Sequence, residues 1–252
     1  MKINAASLAE IAAVLYIFIS RAVFAEQEKG LYPAMFIGHF AVGLAAKARA
    51  PKPSLGTYFI AAQFLDLLWP VFLLLGLERV AIVRGITTVT PLDFVSYPFS
   101  HSLVAAIAYA VIVAVAYNAA RSDRGGALVL GAAVLSHWVL DAITHRPDLP
   151  LSPGASTLVG FGLWQTLAGT LAVETAMFAG AVWIYLRSTT PFDKAGTVIP
   201  WVLFGLLFVT YLMNLFAPEP PPNTEMIAWS AFGMWLFVGL GYWGDRHRAP
   251  VA

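Results

Sequence analysis

The sequence predicts an all-α, polytopic helical membrane protein, and three observations predict it. Apolar residues fill 59% of the 252 positions and charged residues only 12%, about half the charged share of soluble globular proteins. The mean hydropathy is +0.74. The apolar residues gather into eight runs divided by helix breakers, and the charges between runs alternate in character. A net charge of +1 offers nothing to nucleic acid. The lack of cysteine removes disulfides and thiolate metal ligands.

Taken in order, the run 5–24 has Lys2 before it and Val23-Phe24-Ala25 behind it, as a signal peptide with a cleavage site would. Glu10 inside the run is unusual for a signal peptide, and the run reads as a retained helix. The second run, 33–48, falls short of the ~20 residues that cross hydrocarbon, so it should be tilted, shielded or partly inserted. The third, 54–77, carries Trp69-Pro70, which should kink it. The runs 99–118, 126–145, 161–186, 198–216 and 226–243 complete a single integral membrane domain. The breakers are Pro51-Lys52-Pro53, residues 121–125, Arg146-Pro147 and residues 218–222.

Lys47, Arg49 and Lys52, then Arg121 and Arg124, then Arg187 and Lys194, and finally Arg246 and Arg248 mark alternate loops. The intervening loops are balanced or acidic. The positive-inside rule places both termini in the cytoplasm, as in a bacterial inner-membrane protein, and turns loops 25–32, 78–98, 146–160 and 217–225 outward.

Ionisable groups in hydrocarbon are expensive and usually partnered and functional. His137, Asp141 and His145 recur every four residues, drifting ~40° per step, so they line one face over about 12 Å. His39 falls about 9 Å inside the outer end of its run. Asp66 lies near the middle of the third run, and His101 just inside the outer end of the fourth. These six side chains, from four helices, fall in the outer half of the membrane. Three have a plainer reading: His39 as a cap, His101 as an interfacial group, His145 as a complement to the helix dipole. Imidazole and carboxylate without sulfur suit a divalent metal, zinc by default, with manganese, iron or nickel as alternatives. One metal or two remains open at this point. Glu174, central in the sixth run, reads as a general acid or base or as a helix–helix hydrogen-bonding residue. Gln63 is placed to orient Asp66. Asn214 and Gln165 read as packing groups, Asp93 as a helix-entry residue or a ligand from above, and Asp148 as a turn residue near the mouth.

The ordered set His39, Asp66, His101-Ser102 and His137-x-x-x-Asp141 resembles the pattern of a family of membrane-bound metal-dependent hydrolases, over about residues 35–155. The stretches 36–39, 62–70 and 136–141 also resemble an uncharacterised bacterial membrane-protein group, sometimes labelled permeases. Residues 1–34 lie outside both resemblances, and Met35 would serve as an alternative start. The resemblance implies a metal centre and hydrolysis. Two positions depart from the family pattern: Leu68 stands where a second acid is common, and Ser96-Tyr97-Pro98 where His-Arg is common. Their loss counts against a two-metal site, and His39 and His145 could compensate.

The expected function is therefore metal-dependent hydrolysis of a lipid-like substrate reached from the outer side. Asp66, His101, His137 and Asp141 are the expected ligands. His39 is expected as a further ligand or support, and His145 and Glu174 as acid–base groups. A transporter that uses the same cluster for ions or protons, and a non-catalytic scaffold, are the alternatives.

Overall fold

Helix starts are written into the loops. Ser54, Ser102, Asp193 and Asn223 each accept a backbone N–H three residues on, which satisfies one of the donors that a helix start leaves free. The computed structural model describes residues 36–216 and 223–251. The expected helix over 5–24 lies outside them.

The described helices are α1 (Ile37–Arg49), α2 (Leu55–Ala62), α3 (Phe64–Leu74), α4 (Leu103–Arg121), α5 (Arg124–Thr144), α6 (Leu167–Ser188), α7 (Lys194–Leu215), α8 (Thr224–Ala231) and α9 (Met234–Asp245). Among the described residues, five stretches are long and apolar enough to cross a membrane: α4, α5, α6, α7 and the α8–α9 stretch. A sixth is added if α2 and α3, bent by 55°, count as one span. Of the eight expected runs, 5–24 lies outside the described residues and 33–48 gives a helix short of a full span. At 13 residues, α1 rises about 20 Å, too short for hydrocarbon about 30 Å thick.

The chain is mainly helical but not purely so. Three two-stranded antiparallel ladders close the ends of the bundle: β1 (Arg79–Ile82) with β2 (Leu92–Ser96), β3 (Leu149–Pro150) with β4 (Leu158–Val159), and β5 (Thr189–Pro191) with β6 (Arg248–Pro250). Loop backbone folded onto helix ends needs hydrogen-bond partners, and pairing two loop segments supplies them.

Packing follows the breakers. α4 and α5 form a hairpin; α1 lies against α2, α5 and α6; α9 packs on α2 and α7; α3 packs on α8. Two glycines permit the closest crossings. A Cβ on Gly43 would come within 2.7 Å of the Phe59 ring, and one on Gly56 within 2.3 Å of the Tyr242 ring. The largest apolar core joins α1, α6, α7 and α9 around Phe40, Tyr185, Phe204 and Phe237. At one end of the bundle, Lys47 pairs with Asp245 at 2.8 Å and Arg248 binds Thr189 and the Gly196 carbonyl. The β1–β2 and β3–β4 hairpins cover the other end.

The expected kink at Trp69-Pro70 lies elsewhere. α3 continues through Pro70, and the bend falls at Gln63, whose φ of −102° and ψ of 12° leave the helical basin. The displacement matters for the site. It starts a new helix three residues before Asp66, so the carboxylate sits in a first turn, where the helix dipole favours negative charge.

Candidate metal centre

Five side chains meet beside the covered end of the bundle. His39 comes from the first turn of α1, Asp66 from α3, His101 from the turn before α4, and His137 and Asp141 from α5. His101 Nε2 lies 3.3 Å from Asp66 Oδ1 and 3.7 Å from Asp141 Oδ2. His137 Nε2 lies 3.6 Å from Asp66 Oδ1 and 3.3 Å from Asp141 Oδ2. His39 Nε2 lies 3.2 Å from the other Asp141 oxygen, Oδ1. Two overlapping triads, His39–His137–Asp141 and Asp66–His101–His137, could hold a metal ion.

The spacing suits coordination better than hydrogen bonding. Ligand atoms about 2.0–2.2 Å from a tetrahedral ion lie about 3.3–3.6 Å from one another. Four of the five contacts exceed the usual hydrogen-bond length. His137 Nε2 and Asp141 Oδ2 are buried with no hydrogen-bond partner, which buried polar atoms rarely tolerate. The residues fit a divalent ion.

Ring geometry divides the histidines. His39 and His137 stack 3.7 Å apart at an interplanar angle of 3°. Lone pairs in parallel ring planes run side by side, so this pair converges less directly on one point than His101 and His137 do. His101 is turned 64° to His137, and their Nε2 lone pairs can converge. His39 instead backs Asp141 from behind.

Each converging ring is oriented through its other nitrogen, the usual support of a metal-binding imidazole. The break at Gln63 frees the Ala62 carbonyl, which accepts the His137 Nδ1–H at 2.7 Å. His101 Nδ1 meets Ser100 Oγ at 2.7 Å, and Ser100 Oγ in turn donates to Glu78 Oε2 at 2.6 Å. Glu78 Oε1 accepts the backbone N–H groups of Phe99 and Ser100, each at 2.8 Å. With the Ser100 proton committed to Glu78, His101 must donate from Nδ1, which leaves its Nε2 lone pair facing the cluster. Glu78 is 2% exposed. In the sequence it reads as one charge of a balanced loop; its role becomes visible only when that loop folds back by 22 residues onto the turn.

His101 precedes α4 and is not inside it, because Ser102 begins the helix. His145 also leaves its expected place. α5 ends at Thr144, and His145 turns extended with φ −64° and ψ 149°, so its ring departs from the stripe of His137 and Asp141. Its Nδ1 lies 2.9 Å from Asp148 Oδ1, which also accepts the Tyr97 hydroxyl at 2.9 Å. Burial, and then the charge of Asp148, push the Tyr97 hydroxyl well above its ordinary range, so it remains a donor. Arg146 pairs with both Asp148 and Asp93. Asp93 is thus a tether for this corner.

Glu174 lies outside the cluster and does not line the cavity beside it. Its Oε2 accepts the backbone N–H groups of Phe36 at 3.1 Å and Gly38 at 3.3 Å. It is a helix–helix bond that caps α1 from α6. Glu174→Ala should leave those buried donors unpaired, at about 1–3 kcal/mol. Thermal unfolding in detergent should show the loss, with the Gln variant, which keeps an acceptor oxygen, less affected. A catalytic Glu174 would give equal loss of rate in both variants at unchanged stability. Gln63, expected to orient Asp66, makes no such bond; its amide is buried without a partner at the break.

Beside the cluster is a cavity of about 490 Å³. His39, Asp66, His101, Asp141 and His145 face it from one wall, and Trp69, Phe94, Trp164 and Phe237 supply apolar walls. Asp66 is the most open of the five, its side chain 26% exposed against 0–5% for the others. Asn214 of α7 and Ser230, Gly233 and Leu236 of the α8–α9 stretch also line it and are exposed on their helices. The cavity therefore reaches the surface between α7 and α8–α9. Compared with protein-family models, curated proteins and solved structures, the chain matches none.

Proposed function

We propose that the protein is a metal-dependent hydrolase embedded in the membrane, acting on a lipid-like substrate from the outer side. One observation carries the reading: Asp66, His101, His137 and Asp141 converge at 3.3–3.7 Å on a cavity that opens sideways between helices. The sequence resemblance to membrane-bound metal-dependent hydrolases points the same way. Those four residues would hold one divalent ion, zinc by default and manganese or iron as alternatives. Such an ion supplies Lewis acidity and a water of lowered pKa.

The chain's own residues do the rest. Asp141 holds His39 behind it and the two ligand imidazoles before it. Glu78–Ser100 and the Ala62 carbonyl keep the Nε2 lone pairs of His101 and His137 on the ion. The apolar walls exclude water from all but the reacting face. His145, held through Nδ1 by Asp148, presents Nε2 to the cavity as the proton carrier. The basic loops lie at the opposite end of the bundle, so the positive-inside rule turns the cavity outward and the C-terminal end toward the cytoplasm.

The test is metal analysis of purified wild type beside a His137→Ala/Asp141→Ala double variant. Stoichiometric zinc, manganese or iron in wild type and none in the variant is the expected result. Equal content in both overturns the proposal.

A second reading, transport of an ion through the same cluster, is favoured by one feature. α2 and α3, broken at Gln63, pack on α9 and α8, which are themselves divided at Phe232-Gly233, and paired discontinuous helices often accompany transport. Metal flux into proteoliposomes, lost in the double variant, would select it.

A further inference from the structure

The charge on the cavity walls bears on which bond the site cleaves. Among the described residues, no Lys or Arg lines the cavity. Arg146, in the hairpin corner, is already paired with Asp93 and Asp148. Two carboxylates, Asp66 and Asp141, balance one divalent ion, so the centre has no surplus positive charge. Asp66 is also the ligand most open to the cavity. A phosphodiester arriving here would bring a negative charge to an ion already balanced by two carboxylates, with no Lys or Arg among the described lining residues to offset it, and an uncompensated buried charge is strongly disfavoured. Recognition of phosphate ordinarily uses Arg or Lys forks. The remaining polar lining is neutral: Thr90, Thr210, Asn214 and Ser230. Such groups hydrogen-bond carbonyl and hydroxyl oxygens. The volume of about 490 Å³ is within the range of small-molecule sites, and its lateral opening admits a chain from the bilayer.

We infer that the linkage hydrolysed is a neutral acyl bond, an ester or amide of a long-chain acid, and not a phosphodiester. The inference rests on the hydrolase reading above. In the ester case the water oxygen bonds to the acyl carbon and the acyl C–O bond breaks. One water proton goes to the departing alkoxide to give the alcohol, and the other is released when the acid ionises.

The test uses two probes with matched chain and leaving group, 4-nitrophenyl dodecanoate and dodecyl 4-nitrophenyl phosphate, with metal-loaded full-length protein in detergent. The ester should turn over at least about a hundredfold faster in kcat/KM than the phosphodiester, above the rate of the His137→Ala/Asp141→Ala variant. Binding gives an independent readout. A neutral long-chain methyl ketone should quench Trp69 and Trp164 fluorescence at lower concentration than dodecyl phosphate, and Trp164→Phe should reduce the signal. A faster phosphodiester, or tighter dodecyl phosphate, overturns the inference and leaves the hydrolase reading standing. Turnover of neither probe by metal-loaded protein overturns both.

Discussion

Asp141→Asn should empty the metal centre. Asp141 is the residue on which three imidazoles depend: Oδ1 faces His39 at 3.2 Å, and Oδ2 faces His137 at 3.3 Å and His101 at 3.7 Å. Its side chain is 4% exposed, so water cannot replace the lost charge. Asparagine keeps the shape but offers one neutral oxygen and an amide that donates. Whichever way the amide turns, one set of histidines meets N–H donors where it had a carboxylate. Asp66→Asn should cost less, since Asp66 faces two imidazoles and is open to the cavity. The measurement is thermal unfolding with and without a chelator, beside metal content. Wild type at free metal a hundredfold above Kd gains about 2.7 kcal/mol from binding, and chelation should remove that gain. In Asp141→Asn the chelator should change nothing. A variant that keeps its metal and its chelator sensitivity would remove Asp141 from the centre.

Glu78→Gln should weaken metal binding about 10–100-fold, the usual cost of losing an outer support of a metal ligand, with the fold retained. The reason is a proton. Glu78 accepts at both oxygens: from two backbone N–H groups at one, and from the Ser100 hydroxyl at the other. A glutamine that keeps its oxygen on the backbone turns its NH₂ toward Ser100. The hydroxyl then points its proton at His101 Nδ1, and His101 must carry its own proton on Nε2, against the ion. The opposite amide orientation sets NH₂ against the N–H groups of Phe99 and Ser100. Chelator competition with purified protein measures the affinity. An unchanged value would show that the Glu78–Ser100–His101 chain plays no part in holding the ligand, and Ser100→Ala, which removes the middle link, should reproduce the loss.

Much of the centre was legible in one dimension, and for a physical reason. Ionisable residues are so costly in apolar helices that His39, Asp66, His137 and Asp141 stand out with no knowledge of the fold. The four-residue step from His137 to Asp141 puts them on one face of any helix. His145 does not follow the stripe, because an extended backbone at one residue takes a side chain off it, and Pro147 marks where a helix ends without showing where the next ring points. The burial of Glu174 is legible in the sequence, but chemistry or capping depends on whether backbone donors from Phe36 and Gly38 lie within reach. Pro70 draws the expected kink because proline removes a backbone donor, a loss visible in the sequence. The bend at Gln63 carries no such mark, since many sequences permit a residue to leave the helical basin when neighbouring helices accept the freed carbonyl.

The sequence alone determined a helical, membrane-compatible chain with basic loops on one side and a short inventory of possible ligands, because composition, run length and charge act locally and additively. Only the tertiary structure decided which histidines converge, which stacks behind, and how Glu78 and Ala62 aim them. Those outcomes depend on distances between residues far apart in the chain, set by how the helices cross and where loops fold back.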